Sequence, residues 1–390
     1  MRLQSLEIRN FRNHAETTLE LSAGINAITG NNGEGKTNIV EAISYLCLTK
    51  SFYAINDAVT LQNGQEEFRL EGVFEADNQI LRRVEVRYGK TTGRKTVSVN
   101  HNPIETLSSI IGEFPVVVLS PEQNGITFGP PTERRRFLDL VIAQASRLYL
   151  SELLEYRKIL RQRNKILLDA KLTRRDCSEV IEPWDQNLIE TGASLTQRRW
   201  AFVREFLPNV IEAYRRIAGE GETPGMEYAP SFSISDPEKL DVIKRNFEDE
   251  LRTREDEERR TGTTIIGPHR DELEFQVDAM TLRKYASQGQ HKTYLVALKL
   301  AEFLYLQEAC RESPILLLDD VFSELDTHRA ERLVREVAAR GQVFVTATDL
   351  RSFPTDFVWE GNNKRLEVTN GTVADTGKRD YSHEVVGNGN

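Results

Sequence analysis

The chain has 390 residues, 39% of them hydrophobic, which is enough to build two domains with buried cores. Its net charge of −9 and pI near 5.5 exclude a protein covered with positive charge. Its three cysteines lack metal-ligand spacing, which argues against a zinc site and favours a reducing compartment. Neither a signal-peptide pattern nor the roughly 20 apolar residues of a membrane helix occurs, so we expect a cytoplasmic protein without a membrane partner.

The apolar periodicity predicts strands at both ends of the chain and helices in its middle. A helix is predicted to begin at Lys36, one long amphipathic helix to cover Thr132 to Ala170, and another to begin near Ser287. The predicted strands are Leu3 to Ile8, Ala15 to Leu21, Ile25 to Ile28, Phe68 to Glu75, Ile80 to Tyr88, Arg94 to Val99, Val116 to Leu119, Thr263 to Ile266, Glu272 to Val277, Ile315 to Leu318 and Gln342 to Thr346.

Positive charge is concentrated in one part of the chain. Twelve basic and five acidic residues lie between Pro131 and Arg175, and three arginines are consecutive at Arg134 to Arg136. Such a run is commonly a solvated helix face, and contact with DNA phosphates is the alternative. The three arginines either cover the helix start or bind DNA.

A glycine-rich segment follows the predicted strand Ile25 to Ile28 and precedes the helix that begins at Lys36. It has the P-loop spacing, in which backbone N–H groups surround phosphate oxygens, Lys36 neutralises the β and γ phosphates and the Thr37 hydroxyl ligates Mg²⁺. The predicted ATP site comprises Gly30, Asn31, Asn32, Gly33, Glu34, Gly35, Lys36 and Thr37.

Two carboxylates complete the predicted site. Asp319 and Asp320 follow the apolar strand Ile315 to Leu318. A carboxylate at the end of a buried strand holds Mg²⁺ in P-loop enzymes, so we assign Asp319 to the metal and Asp320 to orienting the attacking water.

Two further segments narrow the class to ABC-type ATPases. Ser323 to Asp326 occupies the position of the D-loop, and Ser287 to Gln290 occupies that of the signature motif. In the ABC arrangement Ser287, Gly289 and Gln290 face the γ-phosphate bound by a second copy, and Ser287 is also suited to cap its helix. We therefore expect a head-to-tail homodimer with two composite sites.

Several motifs together resemble the RecF family, in the family's order and over nearly the whole chain. They are Ile8 to Asn13, the P-loop, Glu133 to Asp139, Gly267 to Asp271, Ser287 to Gln290 and Leu317 to Asp326. The resemblance implies an α/β fold, an ABC-type P-loop ATPase head related to SMC and Rad50 proteins with an inserted, mostly helical second lobe. We place the head at residues 1–129 and 262–372, the helical lobe at 130–261 and a disordered tail at 373–390.

The same resemblance implies a function in recombinational DNA repair and replication-fork maintenance. ATP and Mg²⁺ are the implied cofactors, and the implied partners are DNA (gapped, single-stranded or double-stranded), a second copy of the chain and RecR. ATP would close a dimer on DNA, RecR would help it load RecA, and slow, DNA-dependent hydrolysis would release it.

The chain departs from the family pattern at two places. Gln123 stands where the family has aspartate, which affects its predicted Q-loop role as a magnesium contact, and Phe52-Tyr53 replaces His-Arg. Arg12 has two interpretations, a contact with nucleotide phosphate or a cap on a sheet edge. His269 and Arg270 either form a turn or take part in catalysis.

Three other functions are alternatives for this sequence. A nucleotide-gated DNA clamp with negligible hydrolysis is the main alternative, because Asp320 is shorter than the glutamate of many ABC proteins. A transporter subunit is disfavoured by the large basic helical insertion. A nuclease of the overcoming-lysogenization type needs a further acidic metal domain, for which no segment is left.

Overall fold

The computed structural model describes residues 1–52, 56–324, 327–338, 340–349, 353 and 361–376. The chain divides into two compact units, the first made of Met1–Glu122 with Cys310–Asn390 and the second of Gln123–Ala309. The second unit thus includes residues 262–309, which the sequence prediction placed in the head. Strand pairing explains the difference, because Glu272–Val277 pairs with Pro224–Ala229 inside the second unit.

In its described residues the first unit contains two six-stranded sheets and three α-helices. Its strands are β1 (Arg2–Phe11), β2 (His14–Glu20), β3 (Ile25–Thr29), β4 (Glu67–Glu75), β5 (Leu81–Gly89), β6 (Arg94–Val99), β7 (Asn102–Pro103), β8 (Val116–Leu119), β12 (Ile315–Leu318), β13 (Val343–Ala347), β14 (Lys364–Thr369) and β15 (Thr372–Asp375). Its helices are α1 (Lys36–Leu48), α10 (Val321–Glu324) and α11 (Thr327–Ala338).

The two sheets of this unit differ in direction. One has the order β2-β1-β4-β5-β6-β7 and is antiparallel. The other has the order β15-β14-β3-β13-β12-β8, in which β14 through β8 run parallel. Strands β3, β8, β12 and β13 are buried along their whole length, as the apolar runs of the sequence predict for a parallel sheet covered on both faces. Helix α1 shares one apolar core with both sheets.

The second unit is mainly helical. Its helices are α2 (Gly125–Phe128), α3 (Pro131–Ala145), α4 (Arg147–Thr173), α5 (Ser178–Ala218), α6 (Leu240–Thr253), α7 (Glu255–Thr261), α8 (Leu282–Tyr285) and α9 (Gln288–Cys310). Its strands β9 (Pro224–Ala229), β10 (Glu272–Val277) and β11 (Met280–Thr281) form a small antiparallel sheet in the order β11-β10-β9.

Three predicted elements were wrong in detail. The helix predicted over Thr132 to Ala170 is two helices, because Ser146 adopts an extended conformation and its hydroxyl accepts a hydrogen bond from the Tyr149 N–H, 3.2 Å away, as an N-cap. Residues 263–266 form no strand. The predicted disordered tail begins too early, because β15 pairs with β14 as far as Asp375; residues 377–390 lie outside the described residues.

Candidate ATP-binding site

The P-loop lies between the buried strand β3 and helix α1, as predicted. Its three glycines Gly30, Gly33 and Gly35 have φ angles of 148°, 85° and 112°, in the region that favours glycine. At Gly30 a Cβ atom would lie 2.3 Å from the backbone oxygen of Val368, so no larger residue fits there. The glycine pattern is therefore required both by backbone conformation and by the close approach of β14.

The Lys36 side chain folds back over the loop. Its Nζ donates hydrogen bonds to the backbone oxygens of Gly30 and Asn31, at 2.7 and 2.8 Å. Burial lowers the pKa of Lys36, whereas the nearby carboxylates of Asp320 and Asp319 raise it. The two carbonyl oxygens thus hold the ammonium at the loop. Phosphate oxygens are stronger acceptors for a cation, so the ammonium can exchange these carbonyl oxygens for phosphate oxygens as its hydrogen-bond partners.

Asp319 joins the P-loop to the acidic end of β12. The Thr37 hydroxyl donates to its carboxylate, with Oγ1 at 2.9 Å from Oδ1 and 3.1 Å from Oδ2. The side chain of Asp319 is almost fully buried, and this burial raises its pKa. Thr37 and Asp319, two of the three residues assigned to the metal from the sequence, are thus in direct contact.

Thr346, at the end of β13, is a residue that the sequence prediction missed. Its hydroxyl lies 2.7 Å from Asp319 Oδ1 and accepts from the Asp320 N–H at 2.8 Å. Asp320 has a φ of 50° and an exposed side chain, so the backbone turns sharply just after Asp319. A hydroxyl within the otherwise apolar strand Val343–Ala347 was the available sequence signal.

The donor set around Asp319 fits Mg²⁺. A carboxylate and a threonine hydroxyl are hard oxygen ligands, and Mg²⁺ bound with a nucleotide commonly takes one or two protein oxygens together with phosphate oxygens and water. Within the described residues no group of three or more His, Cys, Asp or Glu side chains forms a metal cluster.

Arg12 contacts Glu41 of α1 in the structure. Its Nε and Nη2 lie 2.9 and 2.8 Å from the two carboxylate oxygens of Glu41, and Nη1 donates to the Val59 oxygen at 3.2 Å. The fully buried Glu41 carboxylate also accepts from the Ser51 hydroxyl. This bidentate pair ties the end of β1 to α1, and the predicted contact of Arg12 with nucleotide phosphate stays a prediction.

The predicted signature motif heads helix α9 in the second unit. The Ser287 hydroxyl accepts from the Gln290 N–H at 3.2 Å, and Gln290 Oε1 accepts from the Ser287 N–H at 2.8 Å, which is a reciprocal capping box. Gln290 Nε2 also donates to Glu222 at 2.8 Å, and the Gly289 oxygen accepts from the Thr293 hydroxyl. The structural role of Ser287 is therefore present; its predicted contact with a second copy's nucleotide stays a prediction.

Other predicted contacts remain untested. Gln123 is the first residue of the second unit, and its Oε1 is buried without a hydrogen-bond partner among the described residues. Ser323 and Glu324 end helix α10, whereas Leu325 and Asp326 of the predicted D-loop lie outside the described residues, as does Tyr53.

Asp271 is fully buried at the end of the Gly267 to Asp271 motif. Its carboxylate accepts from the Tyr228 hydroxyl and from the Ser231 N–H at 2.8 Å, with Arg199 Nη1 3.4 Å away. These contacts connect the motif to α5 and to the end of β9.

His269 of the same motif lies between a phenol and a carbonyl. Its Nδ1 is 2.7 Å from the Tyr156 hydroxyl and its Nε2 is 3.1 Å from the Thr264 oxygen. Burial, and to a smaller extent the positive charge of Arg270, lower the pKa of His269 to about 4. These contacts support the turn interpretation of the motif.

Two of the three consecutive arginines are used inside the second unit. Arg134 is buried and forms a bidentate pair with Glu272, with nitrogen–oxygen distances of 2.7 and 2.9 Å. Arg135 Nη1 donates to the Asp271 oxygen at 2.6 Å. Only Arg136 of the three is exposed. Arg134 and Arg135 therefore have structural roles, and contact of this run with DNA stays a prediction.

Comparisons with known proteins agree with this arrangement. The family model RecF/RecN/SMC N terminal domain matches residues 2–355. The protein named DNA replication and repair protein RecF from Chloroherpeton thalassium is 44% identical over 360 residues, covering 90% of this chain and 96% of that protein. Its namesake from Salinibacter ruber is 39% identical over 389 residues, covering 98% and 94%.

Solved structures show the same fold. The recombination mediator protein RecF-ATPrS of the RecFOR pathway has a TM-score of 0.88 and 28% identity, covering 96% of this chain and 98% of its own. An Smc head bound to the C-terminal winged-helix domain of ScpA, at a TM-score of 0.54 and 15% identity, supports the fold alone. The predicted ABC-type head with a helical insertion is thereby confirmed. None of the helices in the described part of the chain is both long and apolar enough to cross a membrane.

Proposed function

Because this chain belongs to the RecF family of DNA replication and repair proteins, whose heads are ABC-type ATPases, we propose that it is an ATP-dependent DNA-binding protein of recombinational repair in the cytoplasm. ATP induces a dimer that binds gapped or double-stranded DNA and, with RecR, helps to load RecA. Weak, DNA-dependent hydrolysis releases the DNA. The observation that carries the proposal is the 2.9 Å hydrogen bond between Thr37 and Asp319, which unites the two halves of an ATPase site.

The roles of the site residues follow from their contacts. The N–H groups of the P-loop bind phosphate oxygens, and Lys36 moves from the Gly30 and Asn31 carbonyls to the β and γ phosphates. Thr37 and Asp319 hold Mg²⁺, which supplies charge neutralisation at the phosphates when bound. Asp320, exposed beside Asp319, orients the attacking water.

The dimer completes the site in this proposal. The capped N-terminus of the 23-residue helix α9 carries the positive end of a helix dipole, which suits a γ-phosphate held by a second copy. Ser287, Gly289 and Gln290 would therefore act on the nucleotide of the partner. One bound ATP would then link two chains.

The DNA surface is proposed to include the exposed face of α4. Lys158, Arg161 and Lys165 are exposed and recur at steps of three and four residues, so they share one face of the helix. Their charges can contact phosphates irrespective of base sequence. We do not include Arg134 and Arg135 in this surface, because their side chains form hydrogen bonds within the second unit.

A clamp that binds ATP without appreciable hydrolysis remains the second candidate. It is favoured by Asp320, whose carboxylate is one methylene shorter than glutamate and is carried by a residue with a φ of 50°. Turnover measured with and without DNA distinguishes the two functions.

Analytical ultracentrifugation tests the proposal as a whole. Wild-type protein is compared with Lys36→Met in the presence of ATP, ADP or no nucleotide, with and without gapped duplex. We expect the wild type to form dimers with ATP in the absence of DNA, and a larger fraction of dimers when gapped duplex is added to ATP. A wild-type protein that stays monomeric with ATP and gapped DNA would refute the ATP-dependent dimer.

A further inference from the structure

Two hairpin turns contact the P-loop, one between β1 and β2 and one between β14 and β15. We propose that His14 and Asn13 of the first turn are positioning residues, which orient the N–H groups of the P-loop toward the phosphates. This inference rests on the proposed binding of ATP at the loop. It assigns a role in nucleotide binding to side chains that contact the backbone oxygens of Glu34 and Gly35.

Glu34 is held at three points. Its backbone oxygen accepts from Asn13 Nδ2 at 2.8 Å and from the Gly371 N–H at 2.9 Å, while its carboxylate accepts from the Asn370 N–H. Asn13 Oδ1 in turn accepts from Asn38 Nδ2 at 2.7 Å. The side chain of Asn13 thus spans from the loop to the first turn of α1.

His14 holds the next peptide group. The ring is fully buried, with Nε2 at 3.0 Å from the Gly35 oxygen and Nδ1 at 3.0 Å from the Thr17 hydroxyl. A carbonyl oxygen can only accept, so in the neutral ring the hydrogen lies on Nε2 and is donated to the Gly35 oxygen. Burial lowers the pKa of His14, which favours this neutral form.

Because the peptide bond is planar, a contact that holds a backbone oxygen also fixes the direction of the following N–H group. In a trans peptide the C=O and the following N–H point in opposite directions. Because the Glu34 and Gly35 oxygens are held outward, the N–H groups of Gly35 and Lys36 point to the opposite side, where the phosphates bind in a P-loop. Because the loop already has this orientation, ATP binding does not carry the entropic cost of ordering it.

The packing leaves little freedom for the loop to rotate. A Cβ atom at Gly35 would lie 2.5 Å from Asn13 Oδ1 and 2.9 Å from His14 Nε2. A Cβ atom at Gly371 would lie 2.4 Å from the Asn13 oxygen. The first turn therefore approaches the loop, and the second turn approaches the first, at distances that only glycine allows.

Two substitutions at His14 separate positioning from packing. The amide nitrogen of glutamine in His14→Gln can replace Nε2 and keep the donor to Gly35, whereas the shorter asparagine in His14→Asn replaces only Nδ1. We expect His14→Asn to weaken ATP binding about fivefold to tenfold in isothermal titration calorimetry, the effect of one hydrogen bond, and His14→Gln to bind within about twofold of wild type. Melting temperatures without nucleotide are measured for both variants.

Asn13→Ala provides an independent measurement at a partly exposed position. It removes the donor to Glu34, and we expect a similar fivefold to tenfold loss of ATP affinity. Equal ATP affinity of wild type, His14→Asn and Asn13→Ala would overturn the proposal, as would equal losses in His14→Gln and His14→Asn. Lys36→Met, measured in parallel, tests the ATP site itself: if it binds ATP like wild type, the proposed function fails, whatever the result at His14.

Discussion

The pH dependence of stability offers a quantitative test of the role of His269. The pKa of this group falls to about 4 in the folded protein, below its ordinary value of 6.5, mainly because it is buried. Between these values the unfolded chain binds the proton and the folded chain does not, so stability falls as the pH is lowered. Linkage gives a loss of about 2 kcal/mol at pH 5 relative to pH 7.5, rising to about 3 kcal/mol below pH 4.

The variant His269→Gln isolates this contribution. Its amide can donate to the Thr264 oxygen but does not titrate, so the other ionisable groups of the chain cancel when wild type and variant are compared. Trp184 and Trp200 both lie in α5 of the second unit, and Trp359→Phe leaves them as the fluorescent reporters. Urea unfolding followed by tryptophan fluorescence then reports on the unit that contains His269.

We expect the stability difference, wild type minus His269→Gln, to decrease by about 2 kcal/mol between pH 7.5 and pH 5. The m-values of the two proteins are compared to confirm that the same surface unfolds. A difference that is independent of pH would refute the inference that His269 is neutral in the folded state.

Four further predictions concern the ATP site and the second unit. Lys36→Met should abolish ATP binding in equilibrium dialysis, and retained tight binding would refute the P-loop assignment. Asp320→Asn should keep ATP bound in a long-lived dimer, whereas wild-type turnover in this variant would exclude Asp320 as the catalytic carboxylate. Ser287→Arg should bind ATP as a monomer and fail to dimerise; ATP-dependent dimers in ultracentrifugation would contradict the composite site. Arg134→Met should destabilise the second unit by about 2 kcal/mol in urea unfolding, because it leaves the Glu272 carboxylate unpaired, while the exposed Arg136→Met changes stability by less than about 0.5 kcal/mol; equal effects would refute the structural role of Arg134.

The sequence predicted those parts of the site that depend on short-range chemistry. The P-loop spacing is a property of consecutive backbone groups, and the two carboxylates directly follow an apolar strand. The contacts of Thr346, His14 and Asn13 with the site could not be found in this way, because their partners at the site belong to other elements of the chain. Spacing within a segment does not encode which distant segments meet.

Ten of the eleven predicted strands are present, but β7, β9, β11, β14 and β15 were not predicted, and a helix break was missed. The break at Ser146 was missed because neither proline nor glycine marks it, and the serine that caps α4 also fits a helix interior. The arginines Arg134 and Arg135 were indistinguishable from Arg136 in sequence. Their different roles arise from tertiary contacts with Glu272 and Asp271.

The parallel sheet has a consequence for how the protein is made. Ile315 pairs with Val116 and Val343 pairs with Ile25, so the sheet cannot close until a ribosome has produced most of the chain. The antiparallel sheet needs only residues 2–103 and can form early. Because translation proceeds at about 5–20 residues per second, the edges of β3 and β8 stay unpaired for roughly ten seconds or more before their partner strands are synthesised. Nascent chains of this protein therefore expose apolar strand edges for that period, during which we expect them to depend on chaperones.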